Sequence, residues 1–221
     1  MRRAVGGLIL VVLAMAGLVF GVAGTLDYWQ ASTFFVVYFA SSLAIALELM
    51  RSDPKLLERR MRGGPFVEKE PNQKIIMSLT SLGFVGLLVV PALDHRFGWS
   101  QMPSAMAFAG DGLVAFGFLV IFRVFRENPF TSATIELAAE QRVISTGPYA
   151  LMRHPMYAGG LVLLLGIPVA LGSWWGLLVF VATMPALIWR LIDEERFLAR
   201  SLPGYRAYQN KVRYRLVPPV W

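Results

Sequence analysis

Cysteine is absent from this 221-residue chain, which removes disulfides, thiolate metal sites and a cysteine nucleophile from consideration. Histidine is nearly absent: there are two, His95 and His154, too few for a histidine-built metal centre. Charge is sparse as well. Only 16% of residues are Asp, Glu, Lys or Arg, against about a quarter in an ordinary soluble domain. No internal repeat or low-complexity tract is visible. What the chain has instead is apolar residues, 56% of the total, with a mean hydropathy of +0.56. The net charge of +7 is not read as a nucleic-acid footprint, because the basic residues stand in blocks beside apolar runs. Anionic lipid and the positive-inside bias produce that pattern.

Six apolar runs stand out: Ala4–Leu26, Trp29–Met50, Ile75–Leu93, Ala105–Phe125, Met156–Leu171 and Trp174–Trp189. A crossing helix needs about 20 such residues, and the first four qualify. The last two are shorter and joined by Gly172-Ser173, so a short helical hairpin is expected. The fold class is therefore all-α: a polytopic membrane protein with about six transmembrane helices and a helical C-terminal segment on the cytoplasmic side. The first run exceeds the ~7–15 residues of a signal-peptide core, so it is expected to persist as a helix. Arg2-Arg3 then hold its start inside. Of the 21 Lys and Arg residues, 20 fall on segments sharing that side and only Arg96 falls on the other. This asymmetry places both termini, the basic loop 51–74 and every polar segment with chemical potential in the cytoplasm. Within that loop Pro54–Met61 suits a short amphipathic helix on the membrane surface.

Smaller features have mostly structural readings. Gly17-x-x-x-Gly21 is a helix-packing pattern, and Gly110-x-Gly112 lacks the spacing of a dinucleotide loop and reads as close packing. Trp29, Trp99, Trp174 and Trp175 sit where interfacial anchors do. Asp111 falls within a membrane run near its outer end, where an interfacial position suits it equally, and Glu48 sits next to Arg51 at an inner boundary.

Two polar clusters carry chemistry. The first is Gln141-Arg142-Val143-Ile144-Ser145-Thr146-Gly147-Pro148-Tyr149, followed by Arg153-His154-Pro155-Met156-Tyr157 at the mouth of the fifth run. Thr146-Gly147-Pro148-Tyr149 is turn chemistry, and Pro155 suits the first position of a helix. The free N–H groups at such a helix start attract an anion. Tyr149 and Tyr157 are placed to bracket an aromatic base or a cation. The same residue types also suit a headgroup-depth belt. The second cluster is Arg190-Leu191-Ile192-Asp193-Glu194-Glu195-Arg196. Arg190 and Glu194 share a helix face, with Glu195 about 140° further round; a solvated helix end with a surface ion pair has the same pattern. Gly204-Tyr205-x-x-Tyr208 and a basic tail follow, either lying on the membrane or folding back over the site.

Together the Thr-Gly-Pro-Tyr turn, Arg-His-Pro-x-Tyr-x-Gly, the hairpin, the Arg-led acidic cluster and Gly-x-x-Tyr resemble the isoprenylcysteine carboxyl methyltransferase family, which is related to the phospholipid methyltransferases. The resemblance covers Asn128 to Pro218 and leaves residues 1–126 as membrane helices with a basic loop; residues 127–221 form the expected methyltransferase core. It implies S-adenosylmethionine as cofactor, contacted by Gln141, Arg142, Val143, Ile144, Tyr149, His154, Pro155, Met156, Tyr157 and Glu195. It implies that Arg190 engages the acceptor. A thiol or amine acceptor needs a base, and Glu194 or Glu195 is then the candidate. The expected partners are membrane lipid and a lipophilic acceptor, prenylated or lipid-like, most simply one carrying a carboxylate; no metal and no nucleic acid are expected. Gln141 departs from relatives with His at that position, and residues 1–126 carry no acceptor signature. A membrane NADPH-dependent reductase, a phospholipid or thiol methyltransferase and a non-catalytic relative remain as alternatives.

Overall fold

The computed structural model describes residues 2–61, 71–132 and 141–221. Among these, eight α-helices follow in order: α1 (Arg2–Ala23), α2 (Trp29–Ser52), α3 (Pro54–Met61), α4 (Pro71–Phe97), α5 (Ser104–Glu127), α6 (Pro155–Ala170), α7 (Trp174–Ser201) and α8 (Tyr205–Lys211). One 3-10 turn, Gly147–Ala150, precedes α6. Five helices (α1, α2, α4, α5 and α7) are long and apolar enough to cross a bilayer, and α6 is a shorter apolar helix. The chain is a multi-pass, all-helical membrane protein. Its outer surface carries Leu10, Leu13, Val36, Leu82 and Val181, all exposed, while Val19, Phe34, Leu87, Val114 and Ile167 pack inside. Leucines facing outward cost nothing where the solvent is lipid.

The final hairpin departs from expectation. Its first arm, α6, is short at 16 residues. Its second arm does not stop at Trp189; α7 runs for 28 residues through the acidic cluster to Ser201. At ~1.5 Å per residue α7 is about 42 Å long and overhangs α6 by several turns. The sequence after Trp189 is polar but rich in Arg, Leu and Glu, which are good helix formers, so the helix outlasts the apolar run.

Small residues set how the helices meet. At Gly117 an added Cβ would lie 2.7 Å from the Leu163 backbone nitrogen, and at Gly166 it would lie 2.8 Å from that of Val114. Glycine there lets the α5 and α6 backbones approach closely, fixing the start of α6 beside the end of α5. Gly110 belongs to the same seam, whereas Gly112 faces open space. Gly17 and Gly21 likewise meet nothing, so the expected packing motif of α1 has no partner among the described residues.

The end of the bundle near Arg96 is tied by a polar knot. Asp94, almost fully buried, accepts from the Ser100 backbone N–H at 2.7 Å, from the Ser100 hydroxyl at 2.6 Å and from the Ser173 hydroxyl at 2.5 Å. Ser173 Oγ also caps α7 by accepting from Gly176 N at 3.1 Å. Tyr28 donates to the Leu171 carbonyl at 2.6 Å and stacks on His95, which accounts for one of the two histidines. Asp111 is buried in α5. The opposite, basic end gathers α3, the start of α4 and the C-terminal parts of α5 and α7.

Candidate functional site

A cavity of about 420 Å³ opens at the basic end. Its construction begins at the end of α5. The Asn128 amide donates to the Tyr149 hydroxyl at 3.0 Å, and the Thr146 hydroxyl donates to Glu127. Gly147 sits over that carboxylate with φ of 54°; an added Cβ would stand 2.7 Å from Glu127 Oε2. Glycine is the residue that takes this conformation without strain, so the Gly147–Ala150 turn is held against α5. The Tyr208 hydroxyl donates to the Tyr149 carbonyl at 2.7 Å and fastens α8 to the same turn. Burial pushes the Tyr149 hydroxyl up to about 12, so this phenol is neutral at working pH and serves as a hydrogen-bonding group.

His154 caps α6 and Pro155 is its first residue, as the sequence implies. The tail folds back rather than lying away: Arg153 N donates to Tyr214 O and His154 N to Arg215 O, each at 2.9 Å. Behind this strap lies a buried ion cluster. Arg153 Nε donates to Glu195 Oε1 at 2.6 Å and Arg215 Nε donates to Glu195 Oε2 at 2.7 Å. The Arg153 Nη1 group also donates to the Val212 and Arg213 carbonyls, at 2.8 and 2.9 Å. His154 Nε2 is 3.9 Å from Glu195 Oε1, beyond hydrogen-bond reach, and is buried with no hydrogen-bond partner among the described residues. The Tyr205 hydroxyl is in the same condition.

Elsewhere in the lining, the Tyr157 hydroxyl donates to Glu194 Oε2 at 2.5 Å. Arg190 donates to Gln73 Oε1 at 3.2 Å, and the Gln73 amide donates to Asp193. Gln73 is fully buried and locks the start of α4 to α7 at the level of the acidic cluster.

Of the residues singled out from sequence, Gln141, Arg142, Val143, Ile144, Tyr149, His154, Pro155, Met156, Tyr157, Arg190 and Glu194 all line this one cavity. Two clusters separated by some forty residues of chain meet because α6 and α7 fold back on each other. Glu195 is the exception. It is not among the described lining residues, and both its oxygens are taken by arginines. The 140° offset from Arg190 points it at the tail. Residues not anticipated also line the cavity. Asn128 borders the recognised motifs, and Tyr205 and Tyr208 come from the Gly204-Tyr205-x-x-Tyr208 motif, for which no contact was assigned. Arg60 comes from α3 and Met77 and Thr80 from α4, where no local pattern distinguishes them from other inner-loop or membrane residues.

A family model described as phospholipid methyltransferase matches residues 105–203. The match runs from the first turn of α5 to the end of α7 and points to a membrane methyltransferase. No curated protein matches the chain.

Proposed function

We propose that this protein is an integral membrane methyltransferase that uses S-adenosylmethionine and acts on a lipophilic acceptor carrying a carboxylate, of the isoprenylcysteine type. The observation that carries the reading is the joint lining of one cavity by the polar motif and by membrane-facing side chains. Gln141, Arg142, Tyr149, His154 and Tyr157 line it together with Met77, Leu161, Leu164 and Leu187. A polar ligand and an apolar one then meet without either leaving its own phase. The phospholipid methyltransferase match supports the reaction class.

The residues present suit the donor. The cavity falls within the ~300–1,000 Å³ range of small-molecule sites. His154 Nε2 and the Tyr205 hydroxyl are buried polar atoms with no hydrogen-bond partner among the described residues; leaving such atoms unpaired costs about 1–3 kcal/mol each, and a polar ligand removes that cost. The start of α6 at Pro155 offers unpaired N–H groups to a carboxylate. Gln141–Ile144 with Tyr149 form the wall suited to the adenosine part. When bound, S-adenosylmethionine would supply an electrophilic methyl carbon with sulfur as its leaving group, a transfer to a carboxylate oxygen that would need no proton movement.

The chain's part is therefore positioning and exclusion of water. A carboxylate of pKa about 3.5–4 is already ionised at neutral pH, so it needs no base. Arg190, aimed by Gln73, orients it through a planar fork. Glu194 holds Tyr157 by hydrogen bond, and for an amine or thiol acceptor it is the group placed to take the proton. Glu195 acts through Arg153, holding the strap that closes the donor side. The 20-to-1 basic asymmetry supports a cytoplasmic face for the cavity, where the polar donor is available.

Parallel calorimetric titrations of the purified protein with S-adenosylmethionine and NADPH test the reading. Binding of the first and not the second is expected; binding of NADPH alone would sink it in favour of a reductase. Arg190→Lys, which keeps charge but loses the fork, is expected to retain donor affinity and lose about tenfold or more in single-turnover methyl transfer, the scale of a charge-assisted hydrogen bond. A rate equal to wild type would make Arg190 a membrane anchor instead.

A further inference from the structure

The family match begins at residue 105, yet the cavity is partly walled by residues upstream of it. Arg60 is the charged one among the described residues. It lies in the last turn of α3, the short helix that returns from α2 across the basic end. Its Nη1 donates to the Ser132 carbonyl at 2.5 Å, and its guanidinium carbon is 5.2 Å from the centre of the Phe125 ring. Burial lowers the pKa of this arginine, with Glu194 acting against the shift and Arg190 adding to it. Among the described residues it makes no ion pair. The neighbouring Arg59 donates to the Pro129 carbonyl but does not line the cavity. One tether to the 128–132 segment is therefore available without placing a cation in the cavity wall.

Arg60 is half-buried and lines the same cavity as Glu194, Met77 and Leu187. A partly desolvated guanidinium with no ion pair among the described residues favours an anion as its partner, and the apolar part of the lining suits the chain that carries that anion.

We infer that Arg60 is a second anion-recognition residue for the acceptor, in addition to Arg190: its guanidinium, with Phe125 behind it, binds the oxyanion of a lipophilic acceptor, either a carboxylate or a phosphodiester. This rests on the methyltransferase reading and extends it. Part of acceptor recognition then resides in a helix outside the part of the chain that matches the family.

The test uses the full chain in nanodiscs with labelled S-adenosylmethionine and three acceptor probes. These are N-acetyl-S-farnesylcysteine, which presents a carboxylate; phosphatidylethanolamine, which presents a phosphodiester beside an amine; and oleylamine, which presents no anion. The anion-bearing probe that wild type methylates identifies the source. On that probe Arg60→Gln is expected to raise KM about tenfold or more, the loss of one charge-assisted hydrogen bond, with kcat and the calorimetric donor Kd near wild type. Arg60→Lys should recover part of the KM. Arg59→Gln, which removes only a tether, should leave KM unchanged. Equal effects of Arg59→Gln and Arg60→Gln, or an unchanged KM in Arg60→Gln, would make Arg60 a structural tether and overturn the inference. Wild type that binds donor but methylates neither anion-bearing probe would also overturn it and leave the methyltransferase reading standing. Wild type that binds no donor overturns the reading itself.

Discussion

Replacing Glu195 by glutamine separates a structural role from a ligand-binding one. The carboxylate is 5% exposed and holds Arg153 at 2.6 Å and Arg215 at 2.7 Å. The Arg153 side chain is 7% exposed and that of Arg215 36%, so only Arg153 is stranded when the negative charge disappears. Removing one partner of a buried pair costs about 3–5 kcal/mol, because the other charge is left uncompensated. Glutamine still accepts one hydrogen bond, and Arg153 keeps its two carbonyl acceptors, so the expected loss for Glu195→Gln is near the lower end, about 3 kcal/mol. Thermal unfolding in detergent should show it as a fall of roughly 6–12 °C, at about 2–4 °C per kcal/mol for a chain of this size. The pair Glu195→Gln with Arg153→Met should cost less than the sum of the two single changes, since the second removes the stranded charge. Donor binding, measured below the melting range, should fall only in proportion to the loosened strap. A variant with wild-type melting and abolished donor binding would refute this reasoning and make Glu195 a direct contact, as the family resemblance implies.

Gly147→Ala should lower stability by about 1–2 kcal/mol through the left-handed backbone and the crowding on Glu127, and should reduce donor affinity because Tyr149 moves with the turn; calorimetry and melting together check both. Asp94→Asn removes the charged acceptor of three hydrogen bonds at the far end of the bundle and should lower the melting point by a few degrees, about 1–3 kcal/mol, while kcat/KM per folded molecule stays unchanged; a loss of activity without a loss of stability would contradict it. Reporter fusions after Trp221 and within the loop 98–103 should report opposite sides of the membrane, with Trp221 cytoplasmic.

The hydropathy pattern alone determined the class of this protein, because a bilayer leaves so few ways of satisfying a buried backbone. The runs from Ala4 to Phe125 became α1, α2, α4 and α5, and α3 followed from the amphipathic spacing of Pro54–Met61. The Thr-Gly-Pro-Tyr and Arg-His-Pro-x-Tyr motifs were readable because turns and helix starts are local chemistry: a left-handed glycine and a first-position proline act within a few residues. The spacing of Arg190 and Glu194 likewise put them on one face whatever else the chain did. Tertiary structure decided the rest. The length of α7 passed beyond its apolar run, since helix propensity and not hydropathy governs a helix once it leaves lipid. The fate of Glu195 depended on where Arg153 and Arg215 came to rest, and both reach it only because the tail pairs with residues 153–154. Arg60 and Gln73 entered the site through packing between distant helices. In sequence they are one basic residue among seven in the loop 51–74 and an unremarked glutamine, because contacts across 72 and 120 residues leave no periodicity to read.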